Sequence, residues 1–181
     1  MQKKIRYITE VAVLLALLVA LQAITKPMGQ LVTGSFVNAV LVVTALVAGL
    51  SSGITVAIVS PVLAYLLGIA PQILTVPAIM VGNTVFVVLL AVLAGKDSKK
   101  LVRQVIAWLA AAVMKFAALY GIVVGLICGV FAESLLASGA LKAPMLKALP
   151  ATFSWPQLVT ALIGGGVALL ITPVLRKALR K

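Results

Sequence analysis

Long apolar runs, broken by short clusters of glycine, proline and charge, dominate this chain. Crossing a bilayer core as an α-helix takes ~20 apolar residues, with a range of ~17–25. Residues 7–25, 73–94, 105–131 and 158–175 each supply such a run. Between the first two lies 36–69, nearly continuous and without a charge. As a single helix it would be about 50 Å long, against a core of ~30 Å. Gly49-Leu50-Ser51-Ser52-Gly53 interrupts it with turn-forming residues. The pattern therefore predicts two shorter helices, 36–50 and 54–69, joined by a tight hairpin. The fold expected is an all-α membrane protein, a six-transmembrane-helix bundle with residues 1–181 forming a single integral membrane domain.

Charge supports that count independently. Only 10% of the 181 residues are charged and 64% are hydrophobic, which excludes both a soluble globule and a disordered chain. Basic residues outnumber acids fifteen to three, for a net charge of +12. Eleven of the fifteen fall in three clusters: Lys3, Lys4 and Arg6; Lys96, Lys99, Lys100 and Arg103; Arg176, Lys177, Arg180 and Lys181. Such clusters between apolar runs are juxtamembrane charges, which collect on the cytoplasmic side, rather than a nucleic-acid surface. Four crossings between the first and second clusters, and two between the second and third, put all three on one side. Both termini are then cytoplasmic, in a multi-pass protein of a prokaryotic plasma membrane. The first apolar run is long for a secretory signal, and Lys26-Pro27 is a poor cleavage context, so it reads as a span.

Enzyme chemistry finds little to work with. There is no histidine, the commonest general base and metal ligand, and the single Cys128 reads as a small core residue. Gly49-Leu50-Ser51-Ser52-Gly53 matches the G-x-S-x-G pattern but lacks a histidine to activate a serine. No Walker P-loop occurs, and Glu10, Asp97 and Glu133 are too scattered for a paired-carboxylate or magnesium site. The expectation is no catalytic residue, no metal and no cofactor.

Polar residues inside the spans carry more information. Lys115 lies deep in the fifth run, where a charge costs ~2.5–3.5 kcal/mol on insertion scales and functional roles concentrate. No acid within a span is available to it. Two readings follow: a ligand carboxylate or phosphate supplies the counter-charge, or backbone carbonyls and Asn or Gln side chains satisfy the amine. Asn38 and Asn83 also lie in spans, and either could bind a ligand or join two helices. Gln22, Tyr65, Gln72, Tyr120, Trp155 and Gln157 gather toward the outer half, with Tyr65 and Trp155 also suited to an interfacial belt. Lys115, Asn83, Asn38, Tyr120, Trp155 and Gln157 are the candidate binding residues. Ala12, Ala16 and Ala20 form a small-residue stripe on the first helix, open either to packing within the bundle or to a partner helix. Gly121, Gly125 and Gly129 form a second, expected to pack internally. Gly164-Gly165-Gly166 is expected to permit bending or close contact in the last helix.

With these features the chain resembles the membrane-embedded substrate-binding (S) component of energy-coupling factor (ECF) vitamin transporters. The likeness rests on six short helices, the Ala12-x-x-x-Ala16-x-x-x-Ala20 stripe, Gly34-Ser35-Phe36-Val37-Asn38, Gly82-Asn83 and Lys115. The resemblance implies a high-affinity subunit that captures a vitamin or related micronutrient from outside and hydrolyses no ATP. It implies a transmembrane coupling subunit, contacted through Ala12, Ala16 and Ala20, and two cytosolic ATPase subunits. It implies a lid in the first outer loop, 26–35. Lys115 points to a substrate with a carboxylate or other acceptor-rich group. An autonomous secondary transporter or channel would need a coupling-ion site, usually built with intramembrane acids, and a membrane enzyme would need the missing bases.

Overall fold

The computed structural model describes residues 2–69, 72–95 and 100–179. Lys96, Asp97 and Lys99 of the second charged cluster, and Arg180 and Lys181 of the third, lie outside the described residues. The described secondary structure is helical, with no strand. Helix α1 spans Gln2–Thr25 and α2 spans Gln30–Val43, continuing as one π-helical turn over Thr44–Ala48. Then come α3, Leu50–Leu66, α4, Val76–Ala94, and α5, Leu101–Leu119, which widens into a π-helix over Tyr120–Val130. Two short helices, α6 at Ala132–Ala137 and α7 at Ala143–Phe153, precede α8, Trp155–Leu179. A helix satisfies its own backbone hydrogen bonds, which a hydrocarbon environment demands. Five apolar helical stretches are long enough to cross a membrane: Gln2–Met28, Gln30–Ala48, Ile73–Ala94, Leu101–Val130 and Trp155–Ala178. At 17 residues, α3 is shorter.

Two expected turns are corrected. The stretch 26–35 is not a ten-residue loop. Lys26–Met28 forms a 3-10 turn, Gly29 breaks direction at φ 89°, and α2 begins at Gln30, six residues earlier than expected. Its polar side chains, which suggested a loop, bond to helical carbonyls instead: Ser35 Oγ donates to the Leu31 carbonyl at 2.7 Å, and Thr33 Oγ to that of Thr25 at 2.8 Å. The hairpin at 49–53 is likewise one residue, Gly49 at φ 97°, and Ser51, Ser52 and Gly53 already belong to α3. Ser51 is therefore an ordinary first-turn residue rather than part of a strained elbow.

The glycine stripes divide. Gly121 and Gly125 face open space, and Gly129 meets only the Val124 carbonyl, so this stripe does not pack internally. The inward face of that segment belongs to Leu119, Val123 and Ile127, offset from the glycines by about half a turn. Gly164 and Gly165, by contrast, are close contacts. A Cβ on Gly164 would collide with the Ser35 carbonyl, and one on Gly165 with the Trp108 indole, whose Nε1 donates to the Ala161 carbonyl at 3.0 Å. These absences let α8 lie against α2 and Trp108 of α5 at backbone distance. The most extensive helix pairings are α2 with α8 and α4 with α5.

Alternating helix direction gives the bundle two ends. Lys3, Lys4, Arg6, Lys100, Arg103, Arg176 and Lys177 mark the basic end, where Arg176 Nη2 donates to the Leu46 carbonyl at 2.8 Å. The other end carries α6, α7 and the Lys26 contact with the Gly68 carbonyl at 2.5 Å. One apolar cluster, including Leu18, Leu41, Val56, Phe86 and Leu90, fills the basic half. A second joins Leu119, Val123 and Ile127 to Leu141, Leu149 and Phe153 of the cap, with Cys128 only partly buried beside it.

Candidate functional site

Between the two apolar clusters lies a layer of polar side chains. Lys115 sits on α5 between buried Ala112 and Leu119, Asn83 on α4 one turn before Phe86, and Asn38 on α2. Lys115 Nζ donates to Asn38 Oδ1 at 2.6 Å and to Asn83 Oδ1 at 2.7 Å. The face of the Phe86 ring lies 5.3 Å from the same nitrogen, within cation–π range. Lysine is a pure donor, so both amides must turn their oxygens toward it. That fixes where their NH2 groups go. Asn38 Nδ2 donates to the Gly34 carbonyl at 2.9 Å and to Thr160 Oγ1 at 3.2 Å. Thr160 Oγ1 in turn donates to the Gln157 carbonyl at 3.1 Å, and Gln157 Nε2 to the Thr152 carbonyl at 3.1 Å. The Asn83 NH2 makes no hydrogen bond among the described residues.

The network links α2, α4, α5 and α8 at one level and reaches α7. It is closed: Lys115, Asn38 and Asn83 are 3%, 1% and 1% exposed. Local sequence makes room for it. A Cβ on Gly34 would lie 2.9 Å from Thr160 Cγ2, and one on Gly82 2.6 Å from Leu119 Cγ, so both glycines allow the approach of the helices that carry the polar groups. Hydrogen bonds to a charged group contribute ~1.5–3 kcal/mol each. Two of them offset the ~2.5–3.5 kcal/mol that a mid-membrane lysine costs. Of the two readings open in the sequence, the protein uses amide oxygens for two of the three Nζ donors. The third Nζ donor and the Asn83 NH2 remain unused, and among the described residues Gln22 Oε1 and Ser60 Oγ are also buried without a partner. Those two donors fit a ligand oxygen.

The structure thus brings together Lys115, Asn38 and Asn83, and connects Gln157 to them through Thr160. Tyr120 and Trp155 stand apart. Tyr120 is 45% exposed and packs on Phe116, with ring centroids 5.8 Å apart, and Trp155 is 61% exposed. Thr160 and Phe86 belong to the site and were not singled out from the sequence. Each stands three residues beyond a residue that was, Gln157 and Asn83, and therefore on the same helix face. No acid pairs with Lys115: among the described residues the one salt bridge joins Arg6 to Glu10 at 2.7 Å, one turn apart on α1.

Ala12, Ala16 and Ala20 are all exposed on α1, whose buried residues are Val11, Leu18 and Thr25. The stripe is therefore not consumed by packing inside the bundle. Exposed Val13 and Leu17 flank it.

No curated protein sequence and no solved structure matches the chain. The family model for the ECF transporter, substrate-specific component, matches residues 6–176, almost the whole chain and at least the greater part of every helix described above. The chain belongs to that family and is a substrate-binding subunit of an ECF transporter rather than an enzyme.

Proposed function

We propose that this subunit captures a carboxylate-bearing vitamin or related micronutrient from outside the cell and delivers it inward with a transmembrane coupling subunit and two cytosolic ATPases. In this reading the chain crosses a prokaryotic plasma membrane six times, with α3 as the short sixth crossing and the basic end cytoplasmic. The positive-inside bias of the three basic clusters supports that orientation. The cap of α6 and α7 then faces outward.

One observation carries the substrate class. A buried lysine is held by two amide oxygens, without an acid among the described residues, and its third Nζ donor and the Asn83 NH2 beside it are left unused. A carboxylate entering there would meet Lys115 Nζ and Asn83 Nδ2 together, and charge-assisted bonds are the stronger kind. The layer is sealed from the outer end by Leu141, Leu149 and Phe153, packed on Leu119, Val123 and Ile127. Entry therefore requires the cap to move, and the cap rather than the helical 26–35 stretch is the gate in this reading. The exposed Ala12, Ala16 and Ala20 stripe provides the close-approach surface for the coupling subunit.

Affinity purification of the tagged chain from gently solubilised membranes tests the assembly. A transmembrane protein and two ATPase subunits should co-purify in a fixed ratio. Uptake of a micronutrient by cells that express the chain but lack those ATPases would contradict the reading and indicate an autonomous transporter.

A further inference from the structure

A second site lies at the basic end, away from the Lys115 layer. Arg103, in the first turn of α5, donates through Nε to the Leu93 carbonyl in the last turn of α4, at 2.7 Å. Its guanidinium lies over Gly95, where a Cβ would stand only 3.2 Å from Nη2 and 3.3 Å from Cζ. The bond and the bare backbone together fix the plane of the group. Its Nη1 and Nη2 donors have no hydrogen-bond partner among the described residues. Lys100 shares the same rim, and below the two basic residues opens a groove of about 290 Å³ whose remaining walls are Leu93, Val102, Ile106 and Ala107. Val102 and Ile106 are 72% and 61% exposed.

A guanidinium with its Nε engaged and its two outer nitrogens without a partner among the described residues presents a planar fork suited to a phosphate. Basic pockets between transmembrane helices at a membrane surface take anionic lipid head groups. The groove adds the complementary half, apolar walls beside the guanidinium that suit the start of an acyl chain. We propose that this groove binds one anionic phospholipid, with the phosphate on Arg103 and the start of an acyl chain along Val102 and Ile106.

Native mass spectrometry of the detergent-purified chain, titrated with phosphatidylglycerol or with phosphatidylcholine of identical acyl chains, tests this. The wild type should retain one phosphatidylglycerol with at least about tenfold preference over phosphatidylcholine, a loss of one charged hydrogen bond being worth about ten- to a hundredfold. Arg103→Gln, which can still donate to the Leu93 carbonyl, should lose the head-group preference. Val102→Trp fills the groove and leaves Arg103 in place. It should weaken phosphatidylglycerol retention several-fold, and it decides the question if Arg103→Gln does not fold. Equal retention of the two lipids by the wild type, or wild-type retention of phosphatidylglycerol by either folded variant, would overturn the proposal.

Discussion

Lys115 of α5 donates a 2.6 Å hydrogen bond to Asn38 of α2, seventy-seven residues away in sequence, and the same nitrogen bonds Asn83 of α4. Three helices are therefore tied at one atom, in a setting where a polar group without a partner is costly. Lys115→Met removes the donor and leaves two buried amide oxygens unpaired. We expect a loss of about 1–3 kcal/mol in stability. Because Lys115 and Asn83 share one bond, the double variant Lys115→Met/Asn83→Ala should cost less than the sum of the single variants, by about 0.5–3 kcal/mol. Thermal melting in detergent of the four proteins measures this. Strict additivity would mean that the bond contributes nothing.

The glycines of α8 and of the π-helical stretch should respond in opposite ways. Gly164→Ala drives a Cβ into the Ser35 carbonyl and toward Asn38 Cβ, so α8 must leave α2. Overpacking of this kind costs ~1–3 kcal/mol. Gly121→Ala or Gly125→Ala places a methyl in open space and should be neutral or stabilise by up to ~0.5–1 kcal/mol, through the helix preference of alanine. Melting temperatures of the three variants give the comparison. A destabilising Gly125→Ala would show that the exposed stripe is packed after all.

Much of the site was legible because polar residues in apolar spans stand out against their surroundings. Lys115, Asn38 and Asn83 could be named from composition of the spans alone. Their meeting could not, since it depends on which helices neighbour one another and at what height. Thr160 and Phe86 carried no comparable signal: threonine is common in such helices, and Phe86 differs from its neighbours only in being placed beside Nζ. The misread segments have a shared cause. Gly, Ser and Thr in 26–35 and 49–53 suggested loop, but a serine or threonine in a helix can bond the carbonyl four residues back, as Ser35 does with Leu31. The face of a glycine stripe depends on what lies opposite: for Gly121 and Gly125 nothing does, and Gly129 meets only the Val124 carbonyl of its own helical stretch.

Bulk on α1 should separate binding from assembly. Ala16 is exposed and makes no contribution to the core, so Ala16→Trp should leave the fold and ligand retention of the isolated subunit unchanged. It should abolish co-purification of the coupling subunit, because a small-residue surface works by close helix approach. Pull-down of tagged Ala12, Ala16 and Ala20 variants reads this out. Full assembly with all three bulky substitutions would place the interface elsewhere.

The cap should govern exchange. Phe153 is 3% exposed in the cap cluster, and its truncation to alanine removes a core aromatic at a cost of ~3–5 kcal/mol. If α7 closes the site, Phe153→Ala should speed release of the retained small molecule by more than tenfold, followed by its loss during dialysis. Release at the wild-type rate from a folded Phe153→Ala protein would argue for another exit.

The most direct measurement is native mass spectrometry of the gently purified wild type and its Lys115→Met variant, with the retained small molecule released and identified. The account predicts one bound micronutrient carrying a carboxylate in the wild type, retained about ten- to a hundredfold less well by the variant, as the loss of a charged hydrogen bond requires. A retained ligand without a carboxylate or comparable acceptor, or one held equally by the folded Lys115→Met protein, would contradict it.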